Sequence, residues 1–160
     1  MTTEFYTLLS ALSAEFGPTG CECRVAALLE NELSGLCDCS RDRMGSLICH
    51  LPGKGEKLLL VAHMDEAGFM VTDIDDKGYL RIAPTGNADP ACFLGKHLTV
   101  GNETVLLKGI GGGKVLHLTS GAERADSPSF DKLFIDLGFQ NKEEAEKQIE
   151  KGDFAAYSGG

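Results

Sequence analysis

Basic side chains are scarce in this sequence. The 160 residues hold 15 Lys and Arg against 24 Asp and Glu, a net charge of −9 with neutral histidine. Nucleic-acid backbones and anionic membrane surfaces both need a basic patch, so the balance argues against either as a partner. No apolar run approaches the ~18 residues of a transmembrane helix. The opening MTTEFYTLLSALSAEFG has neither a basic n-region nor a cleavage site, so it does not read as a secretory signal, and the expected location is cytoplasmic. There is no internal repeat and no low-complexity tract. Tryptophan is absent, yet 42% of the residues are hydrophobic, enough for a core and too many for a disordered chain. By length the chain is about one domain.

What is present is unevenly placed. Residues 1–80 carry 6 basic and 13 acidic side chains, residues 81–160 carry 9 and 11. The densest acidic stretch, Asp65 to Asp76, is a place to look for metal or amine chemistry. The six cysteines include two C-x-C pairs, Cys21/Cys23 and Cys37/Cys39, with Cys49 and Cys92 besides. Structural zinc sites favour C-x2–4-C spacing, and a cytoplasmic chain does not favour disulfides. Scattered thiols are the preferred reading, with a zinc module on the C-x-C pairs as the alternative.

Residues 4–16 place Phe5, Leu8, Leu9, Leu12 and Phe16 on one helical stripe, and Gly17-Pro18 stops the helix. Thr19 and Glu22 have capping-box spacing for a second helix with Val25, Leu28, Leu29 and Leu33 on its apolar face, closed by Gly35. A strand region follows at 37–51. Pro52 to Gly55 is a turn, and Lys57 to His63 (KLLLVAH) is a continuous apolar run of the kind that forms a strand buried on both faces. Helices followed by a buried strand predict an α/β, helix-covered sheet. Beyond Gly68 the pattern changes to short strands: 69–74 and 79–82 around the turn Asp75-Asp76-Lys77-Gly78, then 97–100 and 104–110 around Gly101-Asn102, a flexible loop at Gly111–Gly113, and a strand at 132–137. Asn141-x-x-Glu144 opens a helix expected to run to about Lys151. The expected division is 1–68 and 69–160, the second part a small β-rich module.

The segment richest in chemistry ends the apolar run: Ala62-His63-Met64-Asp65-Glu66-Ala67-Gly68-Phe69. Strand side chains at i and i+2 share a face, so His63 and Asp65 can meet. A neutral imidazole binds a metal through one nitrogen while a carboxylate fixes the other. An H-x-D at the C-terminal end of a strand also sits where α/β sheets open their ligand crevice. Elsewhere, Glu143-Glu144 reads as solvated helix surface, Asp73, Asp75 and Asp76 as hairpin-turn residues, and His50 and His97 as surface or structural groups.

Four segments, in order, resemble the dinuclear metallo-aminopeptidases that include the glutamyl, deblocking and tetrahedral (TET) aminopeptidases. Gly17-Pro18-Thr19-Gly20-Cys21-Glu22 resembles the family's G-P-S-G-x-E turn. Asp42 to Ile48 resembles D-x-x-G-N-L-I. Ala62 to Val71 resembles A-H-M-D-E-x-G-F-M-V, and Leu133 to Gly138 with Asn141 to Ala145 resembles F-I-D-I-G…S-K-E-E-A. The resemblance implies that residues 1–68 are the N-terminal part of a metallopeptidase catalytic domain. It implies that 69–160 are an inserted PDZ-like or barrel-like β-domain that drives dimerisation and larger homo-oligomers. It places His63 as a metal ligand and Asp65 as the carboxylate that orients it, gives Glu66 no firm role, and leaves His117 without the family's Pro-Pro-His context.

The implied activity is hydrolysis of N-terminal residues from peptide substrates by water activated between two divalent ions, Zn or Co. The family's bridging aspartate, general-base glutamate pair and last histidine have no counterpart in these 160 residues. The chain alone is therefore expected to be an inactive N-terminal portion, with exposed apolar surface on residues 1–68. The alternative is an oligomerisation or protein-interaction module in which His63 has no catalytic task.

Overall fold

The computed structural model describes residues 3–114 and 129–158. Two helices open the chain, α1 (Thr3–Ala14) and α2 (Cys23–Glu32), joined through Gly17-Pro18 as the sequence predicts. Residue 16 anchors the pair. Phe16 is buried and packs with Cys21 and Ala156, and the half-buried Cys23, Leu106 and Phe154 lie against them. The capping box does not form. Glu22 is itself the residue before α2 and makes no side-chain cap, and its carboxylate accepts from the Gly20 N–H at 2.7 Å. The Thr19 hydroxyl is committed elsewhere, to Asp65.

The strand region at 37–51 is a two-stranded hairpin, β1 (Asp38–Arg41) and β2 (Leu47–His50), antiparallel with Cys39 opposite Cys49. Its turn is held by Asp42, whose Oδ1 accepts from the Met44 and Ser46 N–H groups at 2.8 and 2.9 Å. Arg41 ties the hairpin to α2 through a two-pronged ion pair with Glu30, 2.8 and 2.7 Å.

The helix-covered sheet is not formed by the described residues. The KLLLVAH run, predicted as a buried strand, has no assigned strand structure, and Leu58, Leu59, Leu60 and Val61 are 83–84% exposed. The reason is physical. A β-strand exists only through hydrogen bonds to neighbouring strands, and among the described residues no strand pairs with 58–63. The apolar surface expected on residues 1–68 is there, with Leu36, Met44 and Leu51 adding to it.

The second part is a closed antiparallel barrel: β3 (Gly68–Ile74), β4 (Leu80–Thr85), β5 (His97–Gly101), β6 (Leu106–Gly113), β7 (Leu133–Asp136) and β8 (Phe154–Tyr157). The strand order is β3-β4-β7-β6-β5-β8, and β8 returns to β3, so no edge remains. Phe69, Val71, Ile74, Leu80, Ile82, Leu98, Val100 and Ile135 fill it. Phe69 sits at the centre of an aromatic group, edge-on to Phe93 at 5.2 Å and to Tyr157 at 5.5 Å. Strict alternation along β3 would point Asp73 inward. A bulge between Val71 and Asp73 resets the register, so Asp73 faces out and Ile74 faces in.

Two expectations are corrected here. Gly111–Gly113 is not a flexible loop but the end of β6. The glycines are there because neighbours approach the backbone closely: a Cβ on Gly109 would lie 2.7 Å from Leu137 Cδ2, and one on Gly113 would lie 2.8 Å from Leu133 Cδ2. The helix expected at 141–151 is only Lys142–Ala145. Its start is as predicted, with Asn141 Oδ1 accepting from the Glu144 N–H at 2.9 Å. Glu143 and Glu144 are exposed, and Asp75 organises its hairpin turn by accepting from Lys77 and Tyr79.

The tight packing of β6 is testable. A Cβ on Gly111 would stand 2.9 Å from two carbons of the Phe93 ring and would press on the Phe93 carbonyl oxygen, a backbone atom that cannot rotate away. Gly111→Ala is expected to destabilise the barrel by about 1–3 kcal/mol in urea denaturation. Gly53→Ala, with open space around it, should leave the midpoint unchanged. Equal midpoints for the two variants would contradict the strand assignment.

Candidate functional site

The Gly17–Gly20 turn grips the Asp65–Gly68 segment. Thr19 N–H donates to the Glu66 carbonyl at 3.1 Å, and Glu66 N–H donates to the Gly17 carbonyl at 2.8 Å. This is a short parallel bridge between Pro18 and Glu66. Gly68 is required beside it, because a Cβ there would lie 2.7 Å from Pro18 Cβ and 2.6 Å from the Ala155 carbonyl oxygen. The bridge thus carries the chain from the helices into β3 with little freedom.

Two candidate residues meet on this support. His63 Nδ1 is 2.9 Å from the Asp65 carbonyl oxygen and 3.3 Å from Asp65 Oδ1. A carbonyl only accepts, so Nδ1 carries a proton, and in the neutral imidazole the lone pair lies on Nε2. The other carboxylate oxygen, Oδ2, accepts from the Thr19 hydroxyl at 2.7 Å. That hydrogen bond, more than any other neighbour, holds the Asp65 carboxyl below the usual carboxylate range, and His63 adds to the effect. Burial pushes the Glu66 carboxyl up, against a smaller opposing effect of the Gly17 backbone.

His63 and Asp65 line a groove of about 430 Å³ whose other wall is the β1–β2 hairpin from Met44 to Cys49, with Leu59–Val61 and Glu22 completing it. The His63 side chain is 85% exposed there. The residues fit a metal only in part. They offer one imidazole of fixed tautomer and a carboxylate engaged in fixing it. Among the described residues, no group of three or more His, Asp or Glu ligand atoms gathers around them. His117 lies outside the described residues. His50 and His97 lie on β2 and β5, away from this pair in the chain.

Three of the six cysteines are not scattered. Cys37, Cys39 and Cys49 bring their sulfurs together, 3.7 Å between Cys37 and Cys39 and 3.5 Å between Cys39 and Cys49. Only one C-x-C pair takes part, and its third member comes from across the hairpin. Desolvation and the neighbouring thiols push the Cys49 thiol up to about 11. Cys21 is likewise raised to about 11, by burial first.

Sequence reasoning brought His63 and Asp65 forward but missed the clasp by Thr19, which was read as a helix cap. The G-P-T-G turn itself was the available signal. It also missed Cys49, which the D-x-x-G turn places opposite Cys39.

Residues 45–160 match the family model described as M42 glutamyl aminopeptidase. FrvX of Escherichia coli (strain K12) is 34% identical over 150 residues, covering 92% of this chain and 42% of FrvX. The crystal structure of a TET aminopeptidase from a marine sediment Thaumarchaeota archaeon superposes with a TM-score of 0.87 at 28% identity, over 98% of this chain and 45% of that one. The Pyrococcus horikoshii TET1 peptidase, which can assemble into a tetrahedron or a large octahedral shell, superposes at 0.85 with 32% identity, over 95% of this chain and 46% of that one. The chain thus spans about half the length of the relatives it matches.

The Thr19 clasp has a pH signature. The folded pKa of Asp65 lies below its unfolded value, so its stabilising contribution is complete above the unfolded pKa and is lost as pH falls through the folded one. Thr19→Val removes the main cause, so Asp65 should titrate closer to the ordinary value of about 3.9. The acid-side loss of stability contributed by Asp65 should then be smaller than in the wild type. Carbon-detected NMR of the Asp65 carboxyl tests this, and an identical titration in both proteins would contradict it.

Proposed function

The chain belongs to the M42 glutamyl aminopeptidase family, and from that premise we propose that residues 1–68 are the opening part of a metallo-aminopeptidase catalytic domain and 69–160 its inserted β-domain. The single observation that carries the reading is the state of His63: Nδ1 is occupied by Asp65, so Nε2 is left as the ligand atom, on the wall of an open groove. Asp65 positions the imidazole, and Thr19 positions Asp65. When bound, two divalent ions such as Zn²⁺ or Co²⁺ supply an activated water and polarise the scissile carbonyl.

The substrates of the whole enzyme are peptides with a free N-terminus. Glu22 and Asp65 make this end of the groove acidic, which suits a cationic α-amine. The barrel serves homo-oligomer assembly. Its support is the resemblance to a TET1 peptidase that forms closed particles, together with the closed, edge-free barrel, which can dock through its faces without adding strands. Among the described residues, no helix is long and apolar enough to cross a membrane.

The 160-residue chain supplies one imidazole of a site that needs several ligands. It is expected to release no N-terminal residue from peptide substrates with Zn²⁺ or Co²⁺ added, and metal-dependent release by the purified chain would refute this. In a polypeptide of the relatives' full length, His63→Ala should remove metal and activity together. Asp65→Asn should lower metal affinity roughly 10–100-fold, the usual effect of losing a carboxylate behind a ligating histidine. Full metal content and activity in His63→Ala would instead favour an interaction module without a catalytic role.

A further inference from the structure

The β1–β2 hairpin carries three sulfurs that the peptidase reading does not use. Cys37, at a bend immediately before β1, and Cys39 within it are two residues apart, with their sulfurs 3.7 Å from each other. Cys49 is the direct cross-strand partner of Cys39. Directly opposed residues hold their Cβ atoms about 4.5–5.5 Å apart, close enough for sulfurs to meet. The three sulfurs all lie within 4.8 Å of one another, the only such group of three or more potential ligands among the described residues.

We propose that Cys37, Cys39 and Cys49 form a three-thiolate site for a thiophilic metal ion, Zn²⁺ or Cu⁺. Four sulfurs placed tetrahedrally at the Zn–S distance of about 2.3 Å stand roughly 3.8 Å apart. The observed 3.5 and 3.7 Å separations are within a few tenths of an ångström of that geometry before any ion is added. The donor set is all sulfur. Asp38 lies between the two cysteines and points to the other face of the strand, so no hard oxygen donor comes from β1. Soft thiolates select Zn²⁺ and Cu⁺ over Mg²⁺, Ca²⁺ and Mn²⁺.

The scaffold is stiff for so short a hairpin. Asp42 closes its turn with two hydrogen bonds, and Arg41 binds Glu30 on α2 through two more. All three cysteines are half-buried and unpaired as disulfides. Binding exchanges S–H for S–metal bonds, the protons leave to solvent, and no electron is transferred. Three protein sulfurs complete a trigonal Cu⁺ site. With Zn²⁺ they leave a fourth position for water or an exogenous donor.

The test uses the reduced 160-residue chain without oxygen. Titration with Co²⁺ should give one equivalent bound, with a thiolate-to-cobalt charge-transfer band that Zn²⁺ displaces. Competition between Zn²⁺ and Cu⁺ then decides which ion is preferred, and either preference supports the site. Cys39→Ser, which removes the central sulfur, should abolish the band. The double variant Cys21→Ser/Cys23→Ser should keep it. Absence of the band in the wild type, its persistence in Cys39→Ser, or its loss in the double variant would each overturn the proposal.

A second readout needs no variant, and so holds even where Cys39→Ser fails to fold. Zn²⁺ should slow alkylation of Cys37, Cys39 and Cys49 several-fold and leave the exposed Cys92 unchanged, as mapped by peptide mass spectrometry. Equal rates with and without Zn²⁺ would overturn it. These readouts do not involve His63, so the site stands or falls separately from the peptidase reading.

Discussion

Thr19 holds two distant parts of the chain together. Its amide hydrogen-bonds to the Glu66 carbonyl and its hydroxyl to the Asp65 carboxylate, 46 residues away. The Glu66 amide answers by donating to Gly17. These backbone groups would otherwise be left unpaired next to buried Phe16, Gly17 and Pro18, where a lost hydrogen bond carries a large desolvation cost. The clasp therefore ties the turn between α1 and α2 to the segment that leads into β3. It also determines which way Asp65 faces, and through Asp65 which nitrogen of His63 keeps its lone pair.

The barrel is the mechanical counterpart of the clasp. β3 begins at Gly68, directly after the clasped residues, and its first inward side chain is Phe69. Phe69 touches Phe93 and Tyr157, so the site segment is continuous with the centre of the aromatic core. The two parts differ in kind. The barrel buries its own apolar surface and closes its own edges. The first part buries Phe16, Val25 and Ala26 but leaves Leu58–Val61 facing outward. An exposed contiguous apolar run of this kind marks a surface made to be covered.

Much of the arrangement was readable from local signals. The Gly17-Pro18 stop, the Asp75–Gly78 hairpin and the Asn141 cap each rest on interactions within a few residues, and each appears where the pattern puts it. The readings that failed depend on distant partners. Thr19 has the spacing of a cap, yet Asp65 competes for its hydroxyl and wins. Gly111–Gly113 reads as loop because glycine is flexible by itself, but Leu133, Phe93 and Phe134 crowd those positions and make glycine the residue that fits. The bulge at Val71–Asp73 leaves no trace in composition, since only the barrel interior distinguishes Ile74 from Asp73.

The same division runs through the charge deficit. By itself the sequence determined an acidic chain, the α-then-β order of its elements, and a His-x-Asp pair able to meet, because these follow from charge, periodicity and the geometry of neighbouring residues. Only the tertiary structure decided that Thr19 supports Asp65 and that Cys49 joins Cys37 and Cys39. Each of those is set by atoms brought within hydrogen-bond or van der Waals distance from opposite ends of a loop. Contacts of that range depend on strand register and chain reversal, which no single segment encodes.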